Sequence, residues 1–563
     1  MSDKPWFAHY PKGVGHEVNP DQFNSLNELL EESFQKYRAN PAVENMGVSL
    51  SYGDLEKYSK AFAAYLQNKT SLKPGDRLAI QSPNLLQYPI ILFGALRAGL
   101  TVVNVNPLYT PRELEHQLND SGSKAIVVVE NFACNLEKVI KDTAVELVIV
   151  TKIGDMLGGL KGAITNFVVK NVKKMIPAYS LPQALKFKDV LKQGQSLSFT
   201  KPDVKSKDIA FLQYTGGTTG VSKGATLTHR NVVANILQSE QWFIGLEPGK
   251  EVIITALPLY HIFALTVNCM LMTKFGAKSV LITNPRDMPG FVKELGKHTV
   301  TVFTGVNTLF NGLLNTPGFS DLNFSKLKIT VGGGMAVQKA VAEKWEQVTG
   351  CALAEGYGLS ETSPVLVCNP LDGNHRLGTI GLPFPNTDVV IMDDDGNHLP
   401  IGERGEICAK GPQVMLGYWN RPEETDKVFK DGYFCTGDIG IMAEDGFVRI
   451  VDRKKDMILV SGFNVYPNEV EDCVASHGKV LEVAAIGVPD EKSTEAVKVF
   501  VVKKDDSLEK DELIAFCREN LTGYKVPKHV EFRSELPKTN VGKILRRTLK
   551  EEEQAKMEAA AAS

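Results

Sequence analysis

Short apolar runs alternate with helix-patterned stretches through most of this chain. Residues 78–80, 101–105, 125–129 and 147–150 are brief and mostly apolar, and longer stretches with helical spacing separate them. Further runs of the same kind stand at 252–256, 279–282, 300–304 and 328–331. Parallel strands need a crossover long enough to hold a helix, so this alternation predicts a mostly parallel α/β sheet. After about residue 381 the pattern changes to shorter runs (389–392, 405–408) broken by turns, which predicts a small β subdomain over about 381–452. A charged break at 453–456 follows, and runs at 483–488 and 497–502 fit a compact α+β unit. At 563 residues the chain exceeds the ~250–300 at which single cores stop growing, so more than one domain is expected.

The remaining bulk features exclude several classes. The net charge of −3 argues against a chain-wide nucleic-acid footprint. The eight cysteines form no Cys-x-x-Cys pair and flank no histidine at metal-ligand spacing, so they read as buried free thiols in a reducing cytoplasm. The first residues lack the apolar core of a leader peptide. Residues 256–273 carry no formal charge, but Pro258, His261 and Asn268 interrupt them, so buried core is expected rather than a membrane span. Residues 25–37 read as a helix, with Ser25 and Glu28 at capping-box spacing. A second helix is expected around 61–66, and the acidic, then Ala-rich tail from Glu551 is expected to fray.

Four segments carry chemistry. Residues 214–224 follow an apolar run and bring together Tyr214, Thr215, Gly216, Gly217, Thr218, Thr219, Gly220, Ser222 and Lys223. Consecutive glycines and hydroxyls with one lysine can wrap backbone N–H groups around phosphates. The lysine is flanked by Ser222 and Gly224, which is not the Gly-Lys-Ser/Thr order of a Walker loop. Residues 332–335 and 355–361 supply Gly333, Gly334, Glu355, Gly356, Tyr357, Ser360 and Glu361. The glycines would let a flat ring lie on backbone, Tyr357 could stack on it, and Glu361 could hold Mg²⁺ through oxygen. Asp438 and Arg453 could bind ribose hydroxyls and a phosphate. Lys543 stands between a glycine and an apolar pair in residues 537–547. Taken singly, the last three segments read more readily as turns and charged surface than as a site.

Their order and joint occurrence resemble the adenylate-forming superfamily of acyl-CoA synthetases, luciferases and peptide-synthetase adenylation domains. The resemblance runs from about Ser25 to Arg547. Residues 431–455 look like a fatty-acyl-CoA synthetase signature, and 104–115 and 461–471 look like the bacterial long-chain fatty-acid–CoA ligases. Ser360 departs from a position where the family more often has threonine, with the hydroxyl kept. The resemblance implies a large N-terminal domain (1–452), a hinge at 453–455 containing Lys455, and a small C-terminal domain (456–563) that rotates between two half-reactions. In the first, a fatty acid carboxylate attacks the α-phosphorus of ATP. In the second, the thiol of coenzyme A displaces AMP.

Carried over by residue, the resemblance implies that residues 215–223 hold the β- and γ-phosphates. Gly333, Gly334, Glu355, Gly356 and Tyr357 would form the adenine pocket, and Ser360 would touch the α-phosphate. Glu361 and Thr215 would bind Mg²⁺, Asp438 and Arg453 would hold the ribose, and Lys543 would bridge the α-phosphate and the attacking carboxylate. His261 falls near the acyl carboxylate, as a gate or wall rather than a base. Phe263, Leu265, Phe303, Val306, Phe310 and Val331 are candidate acyl walls. The partners implied are a long-chain fatty acid, ATP and coenzyme A, with no nucleic acid; a homodimer stays open. Residues 156–176 place Leu157, Leu160, Ile164, Phe167, Val168, Val172 and Met175 at helical spacing among Lys161, Lys170, Lys173 and Lys174. Such a basic amphipathic helix predicts peripheral contact with the cytoplasmic face of the inner membrane, against the alternative of a helix packed on the protein's own core. Rival functions are a fatty acyl-AMP ligase feeding a carrier protein, a luciferase-like oxygenase, and a non-catalytic acyl- or nucleotide-binding protein.

Overall fold

The computed structural model describes residues 4–215, 222–461, 463–490, 493–539 and 542–562. The expected strands form two α/β sheets. One has seven strands in the order Leu185–Lys186, Leu147–Thr151, Ser123–Val129, Arg77–Gln81, Thr101–Val105, Ile209–Thr215, Lys223–Thr228. All its pairs are parallel except the last, where Lys223–Thr228 folds back antiparallel on Ile209–Thr215. That reversal is why the glycine-rich segment is a strand-to-strand connection rather than a strand-to-helix one. Residues 216–221 of that segment, and with them Gly216, Gly217, Thr218, Thr219 and Gly220, lie outside the described residues.

The second sheet has nine strands. Its parallel centre runs Leu353–Gly358, Ile329–Gly333, Val302–Gly305, Val252–Thr255, Lys278–Leu281, Pro41–Asn45. Antiparallel strands close both edges. Pro41–Asn45 and Val48–Ser51 are not legible as strands from sequence. They turn through Met46 and Gly47, both at positive φ, and Pro41–Asn45 pairs with a strand more than 200 residues away, a contact that local patterning cannot announce.

Asp388–Met392, Arg404–Lys410, Phe429–Lys430, Tyr433–Met442 and Val448–Arg453 form an antiparallel five-stranded sheet where the short runs predicted one. Ile458–Val460, Phe463–Val465, Val480–Asp490, Thr494–Lys503 and His529–Arg533 form another five-stranded sheet. The last sheet has buried clusters of its own, centred on Val470, Val499 and Leu513 on one side and Ala484, Phe500 and Leu549 on the other.

Residues 256–273 are core, as their interruptions predict. Ala264–Leu271 forms a wholly buried π-helical turn, and among the described residues no helix is long and apolar enough to cross a membrane. The helix expected at 25–37 spans Leu26–Lys36, and Ser25 caps Glu28 N. The reciprocal half of the capping box is not made: Glu28 accepts from the backbone of Asn24, one residue earlier, at 2.7 Å. A full box stands instead at Ser51 and Asp54, opening Tyr52–Lys69. Tail residues after Glu551 continue the helix Arg546–Ala562.

Candidate active site

A cleft of about 1650 Å³ opens where strand ends of the large sheets face the C-terminal sheet. Its polar half collects the motif residues. Thr215 ends one strand of the seven-stranded sheet and Lys223 begins the next, so both border the cleft on either side of the glycine loop. Lys223 pairs with Glu424 at 2.5 Å and lies 4.8 Å above the Tyr418 ring. Tyr418 donates to Glu361 at 2.7 Å. Tyr214 turns its hydroxyl away to Asp120 at 2.7 Å, and Arg421 holds the same carboxylate at 2.6 Å.

Gly332 and Gly333 close a parallel strand, and Gly334 follows at φ +78°, a conformation that a Cβ would strain. A Cβ at Gly334 would stand 3.2 Å from Lys543 Cε, so the absent side chain is what admits the lysine. A Cβ at Gly333 would stand 3.0 Å from Gly356 O and 3.1 Å from the Phe263 ring. Next to them, the Glu355 carboxylate accepts from Val337 N at 3.0 Å, and burial pushes its carboxyl up to about 8. Burial also raises the Glu361 carboxyl, while the Tyr418 hydroxyl opposes that rise.

Tyr357 donates to Asp438 at 2.6 Å, and Arg453 faces the same carboxylate at 3.4 Å. Asp438 and Arg453 are cross-strand partners in the antiparallel sheet. Gly437, at φ +76°, lies in a bulge that turns Asp438 toward Tyr357, and Lys454 N donates to Gly437 O at 3.1 Å. Lys454 and Lys455 line the cleft directly after.

Lys543 reaches this group from the far end of the chain. Thr308 Oγ1 donates to Gly542 O at 3.0 Å, and Asn311 donates to Leu481 O at 2.9 Å, so the helix Asn307–Leu314 holds both the lysine loop and one strand of the C-terminal sheet. Burial, with Arg453 nearby, brings the Lys543 ammonium down to about 8, while Asp438 and Glu361 pull it the other way. Burial, then Lys543, brings His261 down to about 3, so its ring is neutral at pH 7 and too weakly basic to take a thiol proton. Two neighbouring cations are held in partly buried pairs, Lys538 with Glu482 at 2.6 Å and Arg546 with Glu471 at 2.7 Å, whereas Arg547 forms an exposed pair with Glu551 at 2.6 Å.

The other half of the cleft is apolar. Phe263 and Val331 line it, together with Phe243, Val267, Cys368 and Phe384. Four proposed wall residues do not line it. Phe303 and Phe310 pack on Trp345 at 5.3 and 4.7 Å, behind the sheet. Leu265 is buried two residues after Phe263, on the opposite face of its helical turn, whereas Val267, four residues on, shares that face. Val306 sits against Gly334 and Gly542, beside the lysine loop rather than the apolar arm. Helical spacing from Phe263 could have found Val267; nothing local marks Phe243, Cys368 or Phe384.

The AMP-binding enzyme family matches residues 30–419, and the AMP-binding enzyme C-terminal domain matches 469–543. The chain belongs to the AMP-binding enzyme family. A long-chain-fatty-acid–CoA ligase of Yersinia pestis is 60% identical over 552 residues, covering 98% of each chain. One of Salmonella typhimurium is 59% identical over 556 residues, covering 99% of each. A benzoate CoA ligase from Burkholderia xenovorans matches with a TM-score of 0.80 at 25% identity, over 94% of this chain and 99% of that one. Family membership agrees with the fold class and with the resemblance read from the motifs.

Proposed function

We propose that this chain is a long-chain fatty-acid–CoA ligase that uses ATP and passes through an acyl-AMP intermediate. The observation that carries the reading is a single cleft with a nucleotide-suited polar half and an apolar arm, with Lys543 in the polar half. Near-full-length similarity to ligases named for long-chain fatty acids supports the substrate class.

In the first step a carboxylate oxygen bonds to the α-phosphorus as the bond to pyrophosphate breaks. No base is required, because the acid is already ionised at pH 7. The Lys543 ammonium stands where negative charge accumulates, and such positioned charge is the main lever in phosphoryl and adenylyl transfer. Asp438, with Tyr357 and Arg453 fixing its carboxylate, accepts from the ribose hydroxyls. Lys223 and the loop before it grip the leaving phosphates. In the second step the sulfur of coenzyme A bonds to the acyl carbon and AMP departs; the thiol proton leaves to solvent or product phosphate, since His261 is unsuited to receive it.

Mg²⁺ fits the donor set at Glu361 and Thr215, which are hard oxygen ligands beside the phosphate loop. Bound there, it would neutralise phosphate charge. Residues 453–455, between the antiparallel sheet and the C-terminal sheet, serve as the hinge, with Lys455 as its pivot. Leu160, Ile164, Phe167, Val172 and Met175 are exposed beside Lys170, Lys173 and Lys174, which favours peripheral lipid contact over packing on the core. Leu157 and Val169 face inward and anchor that segment.

ATP–pyrophosphate exchange with and without palmitate, followed by a thioester assay across fatty acids of increasing length, tests the reading. Exchange that depends on a long-chain acid, and CoA-dependent release of AMP, are expected. Acyl-AMP that accumulates without CoA-dependent turnover would instead favour a ligase feeding a carrier protein. Replacing Lys170, Lys173 and Lys174 with Glu should weaken binding to anionic vesicles at low salt; unchanged binding counts against the lipid contact.

A further inference from the structure

Cys408 and Cys435 stand directly opposite each other on neighbouring antiparallel strands of the β subdomain. The Cys408 thiol donates to Cys435 Sγ at 2.9 Å. Directly opposed residues in such a ladder have Cα atoms roughly 4.5–5.5 Å apart, inside the ~4.4–6.8 Å that a disulfide spans. Closing the bond to about 2.05 Å needs a sulfur movement of under about 1 Å. Both thiols are shielded in a small cluster with Met392, so access is restricted to a small oxidant. None of the chemistry derived above uses them.

Their position gives the pair a consequence. Glu406 pairs with Ile439 and Cys408 with Cys435, so residues 436–438 bulge opposite the single Ile407. Thr436 Oγ1 donates to Ile407 O at 2.8 Å and Gly437 N donates to Glu406 Oε1 at 2.9 Å, tying the bulge to the strand that carries Cys408. The bulge begins one residue after Cys435 and ends on Asp438, which holds Tyr357 and Arg453. The Glu406 carboxylate also faces Lys454 at 3.5 Å, at the start of the proposed hinge. The hydrogen bond from Cys408 favours the thiolate of Cys435, the nucleophilic form, and lowers its pKa.

We propose that Cys408 and Cys435 form a reversible disulfide on reaction with a hydroperoxide, and that this bond shifts the Thr436–Asp438 bulge and weakens nucleotide binding. Cys435 thiolate attacks one peroxide oxygen, the O–O bond breaks, and a sulfenic acid and hydroxide form. Cys408 sulfur then attacks the sulfenic sulfur, the S–O bond breaks, and water leaves. The two thiols lose two electrons and two protons, and hydrogen peroxide becomes two waters. A dithiol reductant restores the pair.

The cross-link itself is independent of the proposed function; its effect on nucleotide binding rests on that reading. The test treats the full-length protein with hydrogen peroxide and maps its peptides by mass spectrometry before and after dithiothreitol. A Cys408–Cys435 peptide lighter by two hydrogens is expected, together with a rise of about threefold or more in KM for ATP, reversed by dithiothreitol. Cys435→Ser and Cys408→Ala should each keep the untreated KM and lose the peroxide response. No linked peptide in the wild-type chain overturns the proposal, and a linked peptide with unchanged KM overturns its coupling to Asp438. An equal peroxide response in both variants also overturns it. A linked peptide in a protein that forms no acyl-AMP in either state upholds the cross-link and overturns the functional reading.

Discussion

At its polar end the cleft is lined by residues that stand at strand ends, in turns or, for Asp438, at a bulge: Thr215, Gly333, Gly334, Glu361, Asp438 and Lys543. At its apolar end it is lined by side chains that would pass as ordinary core: Phe243, Val267, Val331, Cys368 and Phe384. The polar residues are held by specific partners, such as Tyr357 on Asp438 and Tyr418 on Glu361. The apolar residues are held mainly by packing, as Phe384 is by Trp242 at 5.0 Å. Charge at a reacting centre demands particular atoms in particular places, whereas a chain of methylenes demands only shape and volume. Single substitutions should therefore be severe at one end and graded at the other.

The sharpest break should come from Lys543→Ala. Removing one preorganised donor from a charge-building centre costs about 10²–10³ in rate, and the loss should appear in ATP–pyrophosphate exchange. A smaller deficit than about tenfold would mean that Lys543 is a bystander of the closed arrangement rather than its positive charge. Lys455→Pro should split the two half-reactions. The pyrrolidine ring removes a backbone donor and fixes φ, so rotation at 453–455 is hindered. Acyl-AMP formation should stay near wild-type while thioester formation falls by about tenfold or more; equal loss of both steps would move the hinge elsewhere.

Legibility in the sequence follows the same division. Gly334 and Lys543 are readable because each sits in a motif, and the structure brings them together across more than 200 residues, so that a Cβ at Gly334 would stand 3.2 Å from Lys543 Cε. The strands at Thr101–Val105 and Ile329–Gly333 are readable because burial on both faces leaves apolar runs. Phe303 and Phe310 misled because an apolar residue on a strand or helix looks the same whichever layer it faces. Only the fold decides that Val331 borders the cleft while Phe303, on the adjacent strand, packs on Trp345. The edge pair Pro41–Asn45 and Val48–Ser51 escaped because its partner strand is distant and its turn carries Met46 at φ 50°.

A pH profile probes the polar end more gently. Burial and Arg453 hold Lys543 below the usual lysine range, at about 8. Its charged form is thus the minority above that pH and the majority below it. For a step that needs the ammonium, kcat/KM of the first half-reaction should be flat below about pH 8 and fall by about tenfold per unit above it. Lys543→Arg should lower the plateau and abolish the fall, because guanidinium stays protonated. A fall that persists in the arginine variant would assign the titration to another group.

The apolar end should respond in small steps. Val267 shares a helical face with Phe263 and borders the apolar arm, so Val267→Phe would fill the space proposed for the acyl chain. Each methylene kept out of the arm forfeits about 0.8 kcal/mol, about fourfold in affinity. The variant should therefore lose kcat/KM for the longest fatty acids by a few-fold per excluded methylene, keep it for shorter ones, and leave KM for ATP unchanged. The matching control is Phe310→Leu, behind the sheet against Trp345. It should lower stability by about 1 kcal/mol, with no change in chain-length preference. A shift in preference from Phe310→Leu with none from Val267→Phe would relocate the acyl arm to the other face of the nine-stranded sheet, and would detach it from the cleft that Lys543 enters.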